Sequence, residues 1–189
     1  MIQHLSYRQY AEMRWKNGQG VTHEVCRFPD AQPYDWRVSI ATIGSDGPFS
    51  HFPGYLRNIS VLEGEGMQLT IDGQPHAFIT PFQATDFNGD SDVFCAITGG
   101  PLLDFNVIWH ADSVRAAVRW ATGGEWAHHQ GTLLLFNAGD TLDVMVDASC
   151  YRLQHYDSLR IDAPARVAVR HSADNRLACV TLTRVKTTD

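Results

Sequence analysis

The sequence predicts an all-β protein built as two small lobes in series. Three observations carry this reading. Helix-period stretches are almost missing from the 189 residues. Short apolar or alternating runs recur instead between Gly, Pro, Asn and Asp, which is the pattern of short strands joined by tight turns. These runs form two sets of five or six on either side of a more polar stretch at 111–124. Two lobes sharing an interface accommodate that many strands better than one open twisted sheet, which curls or splits as strands accumulate.

In chain order, residues 6–13 form a short helical candidate. The strand expected at 36–43 places Trp36, Val38 and Ile40 on one face and Arg37, Ser39 and Ala41 on the other, because side chains alternate at period two. At 56–62 Arg57 shares its face with Ile59 and Val61. The run at 67–71 ends in Asp72-Gly73, a strong hairpin signal. Strands at 93–98 and 102–109 follow, the latter with Asp104, Asn106 and Ile108 on one face. A boundary near 112–124 then separates a lobe at 1–112 from one at 113–189. The second lobe has strands expected at 132–137, 142–146, 151–156, 158–161, 166–169 and 177–183, with Gly139-Asp140 as a turn.

Composition excludes several classes of function. Hydrophobic residues at 44% and charged residues at 19% support a buried core and argue against disorder. A net charge of −6, with no Lys/Arg cluster, argues against nucleic acid as a partner. Residues 1–10 lack the continuous apolar stretch of a signal peptide or membrane span, so a cytoplasmic location and no membrane partner are expected. Cys26, Cys95, Cys150 and Cys179 are scattered without a CxxC pair, as expected for buried small hydrophobes rather than a disulfide frame or a zinc site.

The first lobe carries an ordered series of segments. Trp15-Lys16-Asn17-Gly18-Gln19-Gly20 precedes Thr22-His23-Glu24, Asp35-Trp36-Arg37-Val38-Ser39-Ile40-Ala41 and Asp46-Gly47-Pro48-Phe49-Ser50-His51-Phe52-Pro53-Gly54. Then come Arg57-Asn58-Ile59-Ser60-Val61-Leu62-Glu63-Gly64-Glu65-Gly66, Phe87-Asn88-Gly89-Asp90 and Asp104-Phe105-Asn106-Val107. Together these segments, spanning residues 15–107, resemble the HutD/Ves family. The resemblance implies a bicupin fold of two jelly-roll or β-barrel-like lobes. It also implies a link to histidine utilisation in some members, with a regulatory or metabolite-binding role, whereas other members carry a stress-related name.

Metal-binding cupins place two His and a Glu just ahead of a strand and turn resembling Val61-Leu62-Glu63-Gly64-Glu65-Gly66, because imidazoles and a carboxylate suit Mn, Fe, Zn or Ni. Here that stretch offers only His51, and Arg57 falls where the Glu would stand. The segment 87–93 lacks the further His of the second cupin motif. Neither a metal nor another cofactor is therefore expected. In the second lobe His128, His129, His155 and His171 are scattered, and adjacent strand residues point to opposite faces.

The candidate ligand-binding residues are Lys16, Asn17, Glu24, Arg37, Ser39, Arg57, Asp104 and Asn106. Guanidinium groups bind carboxylates through paired hydrogen bonds, leaving the amides and the hydroxyl to orient the rest of the ligand. The expected partner is a small anionic metabolite such as urocanate, formylglutamate or formate, taken up by a sensor or regulator. An enzyme, isomerase or hydrolase, with Glu24 or Asp104 as general base is the alternative. A purely structural reading instead pairs Arg57 with Asp104, or Arg37 with Glu24, to fasten the barrel, and a scaffold with a vestigial pocket predicts an interior filled by side chains. Trp15, Trp36, Phe49 and Phe52 are expected in the core or at the barrel mouth. Exposed edge strands make a homodimer an expectation as well.

Overall fold

The computed structural model describes residues 1–15, 18 and 20–185. The chain opens with strand β1 (Ile2–Leu5) and a 3-10 turn at Tyr7–Gln9. The helix expected at 6–13 is not formed. Tyr10 leaves the turn in an extended conformation, and Ala11–Arg14 continue as a strand. The chain divides into two compact units, one of Ala11–Ser113 and one formed by residues 1–10 with those from 114 onward.

The unit of Ala11–Ser113 holds β2 (Ala11–Arg14), β3 (Gly20–Phe28), β4 (Trp36–Ile43), β5 (Gly47–Pro48), β6 (Tyr55–Glu63), β7 (Gly66–Ile71), β8 (Gln74–Pro75), β9 (Thr85–Asn88), β10 (Val93–Thr98) and β11 (Leu102–His110). A six-stranded antiparallel sheet has the order β2-β3-β4-β11-β6-β9, and a four-stranded sheet the order β5-β10-β7-β8. Apolar side chains from both sheets, among them Ile59, Val61, Met67, Leu69, Cys95 and Leu102, form the core of this unit. Asp72 and Gly73, both at positive φ, make the two-residue turn between β7 and β8. Gly64 takes φ +104° between β6 and β7, where a Cβ would lie 2.7 Å from the Leu102 side chain.

The other unit adds β12 (Val114–Ala121), β13 (Gly124–His128), β14 (Thr132–Asn137), β15 (Leu142–Val146), β16 (Ser149–Leu153), β17 (Ser158–Ile161), β18 (Ala165–Val169) and β19 (Leu177–Arg184). Its sheets run β1-β17-β14-β19-β12 and β13-β18-β15-β16. Their facing residues, including Leu135, Val144, Leu153, Leu159 and Val167, form a separate core. The polar stretch at 111–124 is therefore largely strand. Asp157 is buried in this unit, which by itself pushes its pKa up. Hydrogen bonds from the Tyr7 N–H, His4 and the Gln154 N–H outweigh burial and hold the carboxyl below the ordinary Asp range.

All four cysteines are free, as expected, but only Cys95 and Cys179 are buried. Cys150 is exposed and Cys26 half-buried, each on a strand face that leaves it partly open.

Candidate functional site

Strand register assembles the site. On β11, Ile108 pairs with Arg37 of β4 on one side and Arg57 of β6 on the other. Two residues on, Asn106 lies between Ser39 and Ile59, and a further two on, Asp104 lies between Ala41 and Val61. Because alternate residues share a face, these three rows form one continuous wall. A pocket of about 680 Å³ opens over it. Phe49, Ser50 and Phe52 line the pocket from the 46–54 segment, Met13 and Arg14 from β2, Trp15 from just beyond its end, and Thr22 from β3. An interior filled by side chains, as a vestigial pocket requires, is not what this unit has.

A β-bulge fixes the first ion-pair cluster. The register between β3 and β4 shifts between Glu24 and Cys26. Residues three apart on a regular strand face opposite ways, and the extra residue cancels that inversion. Glu24 and Arg27 thereby share the Arg37 face. Arg27 Nε donates to Glu24 Oε1 at 2.7 Å, and Arg37 Nε lies 3.0 Å from Glu24 Oε2, close enough for an ion pair but not aligned as a hydrogen bond. Glu24 is therefore engaged by two guanidiniums.

Arg57 has a different setting. Only 5% of it is exposed, and its guanidinium carbon sits 4.8 Å from the Phe87 ring centre, 5.1 Å from Phe52 and 5.2 Å from Phe49. Phe87 is its cross-strand neighbour on β9. Arg57 Nη1 donates a long hydrogen bond, 3.4 Å, to the Ser50 carbonyl, while Nε has no hydrogen-bond partner among the described residues. The rings supply cation–π attraction but no negative charge. Burial lowers the Arg57 pKa to about 10, with Asp104 opposing and Arg37 reinforcing the drop, so the side chain stays cationic at neutral pH.

Asp104 is 3% exposed, and burial pushes its pKa up to about 7, against the pull of Arg57 and of a hydrogen bond with the Ala41 backbone. The expected Arg57–Asp104 ion pair does not form within 4 Å, although the two groups feel each other through space. The register explains this, because the two residues sit two rows apart on neighbouring strands. Asp104 Oδ1 and Asn106 Oδ1 are buried without hydrogen-bond partners among the described residues.

Of the candidates named from sequence, Arg37, Ser39, Arg57, Asp104 and Asn106 meet around this pocket. Glu24 stands at its edge through Arg37, and Lys16 and Asn17 lie outside the described residues. Trp15, Phe49 and Phe52 line the pocket, whereas Trp36 is buried on the opposite face of β4, stacked on Phe28. Sequence reasoning missed Thr22, whose hydroxyl accepts from Trp15 Nε1 at 2.8 Å, and Phe87 as part of the Arg57 box. Their only sequence signal was membership of the motif segments.

Among the described residues, no three His, Cys, Asp or Glu side chains converge as metal ligands. His51 instead pairs with Asp92 at 2.8 Å on the surface. No helix among these residues is long and apolar enough to cross a membrane. A second hollow of about 620 Å³ in the other unit is lined by Glu125, Asp143, Arg170 and His171, all exposed. Asp143 there is already paired with Arg152 at 2.8 Å.

Comparison with known proteins places these features among relatives. The HutD family model matches residues 7–179. An uncharacterized 21.2 kDa protein from the hutC 3′ region of Pseudomonas putida is 41% identical over 165 residues, covering 85% of this chain and 87% of its own. The structure of HutD from Pseudomonas fluorescens SBW25, solved in a formate condition, matches with a TM-score of 0.87 at 35% identity, covering 98% of this chain and all of that one. A conserved protein from Pseudomonas aeruginosa PAO1 matches at 0.90 with 33% identity and the same coverage. Salicylate 1,2-dioxygenase from Pseudoaminobacter salicylatoxidans matches at 0.66 with only 8% identity over 96% of this chain and 81% of that one, a likeness of fold alone. The all-β, cupin-like fold expected from sequence is thus the fold of the chain.

Proposed function

The chain belongs to the HutD family, which is linked to histidine utilisation, and from that premise we propose that the pocket over β4, β11 and β6 binds a small carboxylate without a catalytic metal. Binding is the sensing step of a regulator that responds to an acid of histidine breakdown: urocanate, formylglutamate or formate. One observation carries the reading. Arg57 is a buried cation that faces a pocket, is boxed by aromatic rings and has no carboxylate within ion-pair distance among the described residues. A buried charge is costly until it is paired, so the favourable partner is an anion entering from the pocket. Asp104 competes weakly for that role, because its pKa near 7 leaves it substantially protonated at neutral pH.

Isothermal titration of chelator-treated protein with each of the three acids tests the proposal. Saturable binding of at least one acid, unaffected by chelator, is expected. No heat at millimolar concentrations of all three contradicts it. The same samples address the alternative, a metal-independent isomerase or hydrolase, which is favoured by a pocket carboxyl whose pKa near 7 suits a general base. Conversion of the acid during the titration supports that alternative over simple sensing.

A further inference from the structure

The wall of the pocket is graded, and the gradient specifies more than an anion. Its cationic end is the row of Arg37 and Arg57. The next row presents Ser39 and Asn106, and the row beyond that presents Asp104. Strand geometry puts these rows about 7 Å apart along β11. Donors and acceptors are left over at opposite ends. Arg57 Nε is an unpartnered donor among the described residues, whereas Asp104 Oδ1 and Asn106 Oδ1 are unpartnered buried acceptors. Buried polar groups are almost always satisfied, and leaving one unmade is expensive. A plain carboxylate satisfies only the Arg57 end.

We propose that the ligand is bifunctional, a small carboxylate that also carries an N–H or O–H donor at its far end, directed at Asn106 and Asp104. This deepens the carboxylate reading above and rests on it. Asp104 and Asn106 are then the residues that determine specificity, and Arg57 is the general anion anchor. Sites built around a buried hydrogen bond reject analogues lacking the matching group far more strongly than apolar sites reject a change in size. Other charged or titratable groups around Asp104 do not replace the donor. Arg37 is engaged by Glu24, Arg14 stands at the pocket mouth, and burial pushes the Cys95 thiol on β10 up to about 12, leaving it neutral.

Matched pairs of acids test the inference without requiring the natural ligand. Titration of the wild-type protein at pH 8 compares γ-hydroxybutanoate with pentanoate, and ε-hydroxyhexanoate with heptanoate, each pair similar in size but differing in the terminal donor. The hydroxy acid is expected to bind at least about tenfold more tightly in one or both pairs, the effect of a hydrogen bond to a charged or buried group. Asp104→Val should bring the ratio for the longer pair toward one, whereas Arg57→Met should weaken all four acids alike. Equal or tighter binding of the alkanoates overturns the donor requirement while leaving the carboxylate reading intact. If none of the four acids binds while formate, which carries no such donor, does, the specificity assignment fails alone. If no carboxylate of either set binds, both proposals fail.

Discussion

Arg57→Met is expected to lower affinity for the pocket's carboxylate at least about hundredfold while leaving the fold intact. The loss follows from removing the only buried cation in the pocket without a carboxylate partner among the described residues. A charge-assisted, two-point contact with a guanidinium is worth several kcal/mol when it is shielded from water. The fold should tolerate the change because a guanidinium flanked by three phenylalanines contributes little to stability. Replacing buried ionic groups with apolar ones of similar size is often neutral or stabilising, and a thioether packs well against aromatic rings. Thermal unfolding and circular dichroism should therefore match the parent protein. Arg57→Lys should fall between the two, since an ammonium keeps the charge but cannot make two parallel hydrogen bonds. Undiminished binding by a folded Arg57→Met protein would show that Arg57 is not the anchor.

The second large effect concerns stability and pH. Asp104 has a folded pKa of about 7 against an ordinary value of 3.8, so between these values the folded state holds a proton that the unfolded state has released. Stability from this group is fully present below the unfolded value and is lost as pH rises through the folded one. Each unit of displacement corresponds to about 1.36 kcal/mol, so roughly 3 kcal/mol should disappear between pH 5 and pH 8. Asp104→Asn cannot titrate. Urea unfolding of the two proteins across that range should show the variant gaining on the parent by about that amount, with most of the gain complete just above pH 7. Asp157 does not confound the comparison, because its pKa is held low and its contribution is lost only at more acidic pH. A stability difference that stays flat from pH 5 to pH 8 would show that Asp104 is not desolvated as described.

These expectations depend on features that were partly legible in the chain. Interior strands with clear alternation, such as β4, β7 and β15, and the continuously buried apolar run of β14 could be read nearly to the residue. Most missed strands lie at sheet edges: β1 and β12, β2 and β9, β13, and the two-residue β5 and β8. An edge strand packs against a neighbour on one side only, so its sequence carries more polar and small residues, as Val-Arg-Ala-Ala-Val-Arg-Trp-Ala does in β12. β3 is an interior strand that was missed for another reason, since its bulge at Glu24 to Cys26 breaks the alternation. For the site, period-two alternation correctly placed Arg37 with Ser39, Arg57 with Ile59, and Asp104 with Asn106. It could not reveal how the three strands are registered against one another. That register separates Arg57 from Asp104 by two rows, and it leaves Arg57 without the carboxylate partner that sequence suggested.

Crystals of chelator-treated protein soaked in formate offer the most direct measurement, because the claim is that Arg57 anchors an anion from within the pocket. The expected result is a carboxylate with an oxygen about 3 Å from a nitrogen of the Arg57 guanidinium, on the pocket side of that group and away from the ring faces that flank it. An acid bound elsewhere while the Arg57 guanidinium turns out to solvent, or a transition metal occupying the pocket in its place, would contradict it.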